Sequence, residues 1–209
     1  MTAGLQASLF DAIDAESRLT RLSDGVRRTP LARGAWVDVR PGWLQGSTAV
    51  FDALATSVSW REEERRMYDA TVAVPRLMAT YFTESEFPHP ILRAAREALS
   101  SHYRDVLPEA FATAGLCLYR DGADSVAWHG DRIGRGRDSD TLVAILSLGS
   151  PRPLLLRPRG GGASRRFVLS SGDLLVMGGS CQRTWDHAVP KTPGVGPRIS
   201  VQFRPSGVF

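Results

Sequence analysis

The sequence predicts a mostly β fold with flanking helices, an α+β chain whose strands form a jelly roll (a double-stranded β-helix). Three observations lead there. From residue 111 onward, short β-prone runs alternate with Gly, Pro and Asp turns. The 20 glycines and 13 prolines suit a turn-rich β architecture better than a helical bundle. The 209 residues, 43% of them hydrophobic, are enough for one compact domain with a real core, or one domain with an N-terminal extension.

The elements follow in order. Residues 1 to about 30 are mixed and polar and read as a short helix and a loosely held arm. Ala35 to Val39 reads as a strand that Pro41-Gly42 stops. Ser47 is placed to cap a helix in which Val50, Phe51, Leu54 and Ala55 carry helical spacing. Trp60 to Arg66 is heavily charged and reads as exposed. Thr71 to Val74 is β-like and runs into Pro75-Arg76. Pro90 to Tyr103 is a helix with an apolar stripe at Ile91, Leu92, Ala95, Ala98 and Leu99. The strand runs are Gly115–Tyr119, Leu142–Leu148, Leu154–Arg157, Phe167–Leu169, Leu174–Met177 and Ile199–Phe203. The Arg- and Gly-rich stretch 157–166 between two of them is a hairpin loop, whose arginines suit phosphate or solvent equally. There is no internal repeat.

Composition narrows the function classes. No apolar run reaches the roughly 18 residues that a membrane-spanning helix needs. The N-terminus shows no basic segment followed by an apolar stretch, so no signal peptide is expected. Cys117 and Cys181 have neither a disulfide framework nor a metal-type pairing. The expectation is a cytoplasmic protein with no membrane partner and no obligate protein partner. The net charge is +4 and almost every cation is arginine, Lys191 being the single lysine. The isoelectric point near 9.6 permits a polyanionic partner without requiring one.

The chemistry concentrates in the last third. His129-Gly130-Asp131 puts an imidazole and a carboxylate two residues apart, on one face of an extended chain. Alone, His-x-Asp is a common pattern that fits a surface loop as well. A distant His187 would complete two imidazoles and one carboxylate, a set that holds Fe(II) and leaves coordination positions open. In Arg198-Ile-Ser-Val-Gln-Phe-Arg204 the polar residues alternate with Ile199, Val201 and Phe203. That pattern puts both arginines on one face, where buried cations would need anions. A solvated edge strand is the plainer alternative. Two guanidinium forks beside a metal suit a dicarboxylate, which points to an iron enzyme that consumes 2-oxoglutarate and O₂. Tyr119 shares a face with Cys117 and could reach a cosubstrate carboxylate, or be an ordinary strand tyrosine.

Taken together, these residues resemble the AlkB family of Fe(II)/2-oxoglutarate dioxygenases over about Pro75 to Pro205. Pro75-Arg-Leu-Met-Ala-Thr-Tyr81 looks like the family's nucleotide-recognition segment. Leu118-Tyr-Arg-Asp-Gly122 precedes Trp128-His-Gly-Asp131, and Ser147-Leu148-Gly149 and Leu156-Arg157 resemble the next strands. Gly172-Asp-Leu-Leu-Val-Met177 leads to Trp185-Asp186-His187, and the Arg198–Arg204 strand closes the pattern. The resemblance implies a jelly-roll domain at 71–209, with a lid at 71–90 and an N-terminal extension at 1–70 packed on the core.

It also implies roles. His129, Asp131 and His187 would bind Fe(II). Arg198 would pair with the distal carboxylate of 2-oxoglutarate and Arg204 with the carboxylate beside the keto group. Tyr119 and Ser200 would add hydrogen bonds. Arg76, Tyr81 and Arg157 would touch the substrate nucleotide, with Tyr81, Phe82 and Phe87 as stacking candidates against a flipped base. The activity implied is oxidative demethylation of N-alkylated DNA bases, releasing formaldehyde and succinate. A 2-oxoglutarate oxygenase acting on RNA, protein or a small molecule is the alternative, and a non-catalytic jelly-roll binder is the weaker one. Two positions depart from the family: Cys117 stands where an Asn is common, and Ile133 where an acid is common. Base preference therefore does not carry over.

Overall fold

A computed structural model of the chain describes residues 17–67, 70–82, 85–107, 109–131 and 135–208. The elements are β1 (Arg18–Leu19), β2 (Arg27–Pro30), β3 (Ala35–Arg40), β4 (Leu44–Gln45), α1 (Ser47–Ser57), β5 (Arg61–Met67) and β6 (Ala70–Tyr81). They continue with α2 (Pro90–Tyr103), β7 (Phe111–Tyr119), β8 (Val126–His129), β9 (Val143–Gly149), β10 (Arg152–Pro158) and β11 (Arg165–Leu169). The last are β12 (Leu174–Gly179), α3 (Cys181–Thr184), β13 (Trp185–Val189) and β14 (Arg198–Pro205).

The strands form an eight-stranded sheet, in the order β2-β3-β12-β9-β14-β7-β6-β5, and a four-stranded sheet, β11-β10-β13-β8. A two-stranded β1-β4 ribbon stands apart. Strands β7 to β14 pass back and forth between the two larger sheets, which is the jelly roll that the sequence predicts. Antiparallel pairing is found throughout.

Two cores result, and strand alternation sorts residues between them. On β14, Ile199, Val201 and Phe203 are fully buried against the helices. There they meet Leu92, Ala95 and Leu99, the inward stripe of α2. On β9, Ala144, Leu146 and Leu148 face the helices, while Val143 and Ile145 face the second sheet. This strand is apolar on both sides because both sides are covered. The inter-sheet core also holds Leu154, Leu156, Leu175 and Met177.

The N-terminal part departs most from expectation. In the described part of segment 1–70, α1 packs on the helix-side core, while β2, β3 and β5 are strands of the large sheet itself. The arm expected before residue 30 includes β2, paired with β3 from Arg27↔Val39 to Pro30↔Trp36. Asp38 secures it. Its buried carboxylate accepts from Arg28 Nε and Nη2, both at 2.8 Å, and from the Tyr103 hydroxyl at 3.0 Å. This bidentate pair ties the sheet edge to α2. Residues 1–16, including the expected short helix, lie outside the described residues.

Helix α2 has the bounds that the sequence predicts, with Pro90 at its start and His89 Nδ1 accepting from the Ile91 N–H at 3.2 Å. Ser47 does not cap α1. The cap position is Gly46, with φ of 67°, and the Ser47 hydroxyl pairs instead with that of Ser171 at 2.8 Å. Trp60 is half-buried rather than exposed. Its indole N–H donates to the Ala55 carbonyl at 3.2 Å, and its ring packs on the helix-side core. Strand β6 runs straight through Pro75, because the pairing with β5 breaks register between Glu62 and Glu64, opposite that proline. A missing N–H costs nothing at such a bulge. The part of the expected lid at 71–81 is therefore a sheet strand, paired to β7 from Leu77↔Leu118 to Tyr81↔Ala114.

Candidate active site

The site lies between the two sheets, in a cavity of about 660 Å³. Its lining includes His129, Asp131, His187, Tyr119, Arg198, Ser200, Arg204 and Arg76. Eight of the ten residues singled out from the sequence thus meet around one space.

The metal-type ligands come from neighbouring strands of the small sheet. β8 and β13 pair at His187↔His129 and again at Val189↔Val126, so Ala127 and Trp128 together oppose Ala188. That β-bulge turns the end of β8 and aims His129 into the cavity. It also sets the imidazole's protons. His129 Nδ1 lies 2.9 Å from the Ala127 carbonyl, which can only accept, so Nδ1 carries a hydrogen and Nε2 is the ring nitrogen on the Asp131 side. The His129 and His187 ring centroids are 4.2 Å apart, and His129 Nε2 is 3.8 Å from Asp131 Oδ1. One ligand atom from each of His129, Asp131 and His187 lies within 4.8 Å of the other two.

Charge prepares this set for a cation. Burial alone would raise the Asp131 carboxyl, but Arg204, His187 and His129 outweigh it and hold it at about 2. Arg204 grips the outer oxygen, Oδ2, through Nε at 3.0 Å and Nη2 at 2.8 Å, leaving Oδ1 turned toward His129. Burial and then His129 lower His187 to about 3, against the pull of Asp131. At neutral pH the pair offers one anionic oxygen and one neutral imidazole, the protonation states that metal ligands require.

The other end of the cavity is built from β14 and β7. The guanidinium of Arg198, only 2% exposed, donates from Nε to the Ser147 hydroxyl at 2.9 Å and lies 5.2 Å over the Tyr119 ring. Its Nη1 is buried without a partner. Burial pushes the Tyr119 phenol up. A buried cation with a donor to spare asks for an anion, so this end fits a carboxylate. Arg204 is paired with the Asp131 carboxylate beside the two imidazoles. The donor set therefore fits both Fe(II) and 2-oxoglutarate.

Two of the expected substrate residues lie elsewhere. On β6, Val74, Arg76, Met78 and Thr80 line the cavity. Tyr81 has the opposite parity and packs into the helix-side core, edge-on to Phe87 at 6.4 Å. Phe87 is buried there too, and Phe82 is 47% exposed. Arg157 does not line the cavity either, although Trp128, over which it lies, does. Leu156 points inward and is fully buried, whereas the Arg157 guanidinium lies on the outer side of the small sheet, 4.2 Å over Trp128. Asp186, in register with Arg157, shares that side. Ile133 lies outside the described residues.

The structure also adds residues. Gln202 lines the cavity, its amide donating to the Ser200 hydroxyl at 2.6 Å and lying 3.5 Å from Cys117 Sγ. The β14 alternation already puts Gln202 on the polar face. Gly115 opposes it, and a Cβ there would come within 3.3 Å of Arg204 Nη1. Only the pairing register reveals that need for space.

With this geometry in view, a family model described as the 2OG-Fe(II) oxygenase superfamily matches residues 45–204. The chain belongs to that superfamily. Among its curated relatives, the bovine (Bos taurus) alpha-ketoglutarate-dependent dioxygenase alkB homolog 3 is 31% identical, over 86% of this chain and 66% of that protein. The DNA oxidative demethylase ALKBH2 of Arabidopsis thaliana is 26% identical, over 77% of this chain and 62% of the relative. The chain thus spans just under two thirds of the length of these relatives. Their names support the AlkB resemblance seen in the sequence. The solved structure of OsALKBH1 superposes with a TM-score of 0.57 at 14% identity, covering 86% of this chain and all of that one, and bears on the fold alone. Fe(II), 2-oxoglutarate and O₂ are the cofactor and cosubstrates that this superfamily implies, and the His129–Asp131–His187 group is able to bind the metal.

Proposed function

We propose that this chain is an Fe(II)/2-oxoglutarate-dependent oxidative demethylase that removes N-alkyl lesions from DNA bases, releasing formaldehyde and succinate. One observation carries the oxygenase part: a single buried cavity holds the His129–Asp131–His187 group at one end and, at the other, an Arg198 guanidinium with an unpartnered Nη1. The nucleic-acid part is supported by the printed names of the relatives and by the net charge of +4. The cavity volume, about 660 Å³, is within the range of small-molecule sites and suits a cosubstrate and an extruded base together.

The geometry supports the following roles. His129 Nε2, His187 and Asp131 Oδ1 would hold the iron, and Arg198, Tyr119, Ser200 and Arg204 the cosubstrate. When bound, iron, 2-oxoglutarate and O₂ supply the oxidation that hydroxylates an N-methyl carbon, after which the adduct loses formaldehyde. The protein's share is to position and to exclude water. Val143, Ile145, Leu154 and Val189 give the cavity apolar walls. Arg204 fixes the face that Asp131 presents, and the Ala127 carbonyl fixes the His129 tautomer. A base stacked in a duplex cannot bring its methyl group this deep, so it must be flipped out or come from a single strand. The His129 side chain, 40% exposed, would then form one wall of the base pocket.

The test is formaldehyde release from N-methylated oligonucleotides, single- and double-stranded DNA and RNA, with Fe(II), ascorbate and 2-oxoglutarate. Turnover on DNA supports the proposal. Turnover on RNA alone, or succinate formation without base demethylation, moves the assignment to a different oxygenase substrate. Absence of 2-oxoglutarate binding under anaerobic Fe(II) would leave a non-catalytic jelly roll.

A further inference from the structure

Arg152 opens β10 between two prolines, and it is 1% exposed. Its Nη1 donates to the Asp121 carbonyl at 2.8 Å, and its Nη2 to the carbonyls of Asp124 at 2.6 Å and Pro190 at 3.0 Å. Its Nε is buried without a partner. These carbonyls lie in the turn from Tyr119 to the metal strand β8 and just beyond the metal strand β13. The same turn is packed tightly from its other sides. Gly122 takes the Thr192 N–H at 2.8 Å, and a Cβ on Gly122 would sit 1.9 Å from the Thr192 carbonyl oxygen. Ser125 donates to the Pro75 carbonyl at 3.0 Å. The guanidinium is therefore held in one place.

That place is behind Tyr119. Arg152 Cζ lies 5.5 Å from the Tyr119 ring centroid, and Arg198 Cζ lies 5.2 Å from the same centroid. Two buried guanidinium groups thus flank one ring. The neighbouring carboxylate, Asp124, is taken by Arg120, whose Nε and Nη2 reach it at 2.9 and 3.0 Å. Arg152 donates to neutral carbonyls, with the Asp121 and Asp124 carboxylates near enough to act on it, and Arg198 donates to the Ser147 hydroxyl. Each keeps one buried nitrogen without a partner, and such a buried donor on a cation carries a cost that an incoming anion relieves.

We propose that Arg152 is a positioning residue of the cosubstrate pocket: its fixed charge behind Tyr119 strengthens binding of the distal carboxylate without touching it. This rests on the reading of the cavity as a 2-oxoglutarate site. At an effective dielectric of about 20, a unit charge pair about 12 Å apart is worth roughly tenfold in affinity. A plain structural clamp would instead affect every ligand alike.

Anaerobic calorimetry on the Fe(II)-loaded full chain separates these readings, with 2-oxoglutarate and 2-oxopentanoate as probes. The second has the same keto acid with a methyl group in place of the distal carboxylate. In Arg152→Gln, 2-oxoglutarate should bind about tenfold more weakly, 2-oxopentanoate should be unchanged, and Arg152→Lys should restore the ratio of the two. Equal losses for both probes, or no loss for either, overturn the inference. If Arg152→Gln does not fold, Arg152→Met, another neutral side chain of similar length, takes its place: a ratio that falls about tenfold supports the role of charge, and a ratio kept within about twofold of the parent overturns it. Failure of the parent chain to bind 2-oxoglutarate would be a different result, one that removes the underlying reading of the cavity.

Discussion

Arg204 and Arg198 stand on the same face of one strand, yet their surroundings are opposite. Arg204 meets a carboxylate, Asp131, through two nitrogens. Among the described residues, Arg198 donates to the Ser147 hydroxyl and keeps one nitrogen unpartnered. The metal end of the cavity therefore has its anion built in, and the far end must import one. The difference teaches that the two ends answer to different perturbations. Damage at the metal end removes chemistry, and damage at the far end changes affinity.

The hardest test of this contrast is Asp131→Ala, which should abolish formaldehyde release while circular dichroism shows the fold retained. Retained turnover would refute the metal assignment. Next is Arg198→Ala. Loss of a charge-assisted carboxylate contact, about 1.5–3 kcal/mol, should weaken 2-oxoglutarate roughly 10- to 100-fold in an anaerobic binding titration, with metal uptake unchanged. An equal fall in metal affinity would erase the distinction between the ends.

Arg204→Ala should also weaken 2-oxoglutarate, and far more than it weakens oligonucleotide binding. It carries an acid signature as well. The Asp131 carboxyl is at about 2 in the fold against an ordinary 3.8. Its stabilising share is thus fully present above the ordinary value and is lost as the pH falls through about 2. Without Arg204 the folded value rises, so acid unfolding of the metal-free protein should begin at higher pH. An unchanged acid midpoint would show that the pair contributes nothing. The smallest effect expected is that of Gly115→Ala. Its methyl would crowd Arg204 Nη1 at 3.3 Å and should raise the KM for 2-oxoglutarate a few-fold with kcat nearly intact.

Much of this was legible because it depends on period alone. The alternation of Arg198–Arg204 fixes which residues face the cavity, whatever the neighbouring strands are. Helix α2 carries its own stripe and its own start signal. What stayed hidden depends on register and on distant partners. Nothing local distinguishes Arg157 from an inward residue, since the pairing of Leu156 with His187 decides it. Tyr81 fails for the same reason, lying one position out of phase with Arg76 and Met78. The bulge at Ala127-Trp128 has no sequence mark. Arg152, between prolines, reads as a loop residue, and its partners lie 28 to 38 residues away. Strand β3 is legible at Ala35–Val39, but the edge strands β2 and β5 are not, because charged edge strands look like solvated loops.

Those edge strands bear on how the molecule behaves in a crowd. A large sheet normally ends in open amide and carbonyl rows that invite another chain to add on, the first step toward fibres. Here one flank ends in Arg61-Glu-Glu-Glu-Arg-Arg66 and the other in Arg27-Arg-Thr-Pro30, while the small sheet ends at Arg165-Arg166. Charged residues and a proline thus stand at three of the four edges of the two larger sheets, and concentrated protein should resist polymerising through those edges.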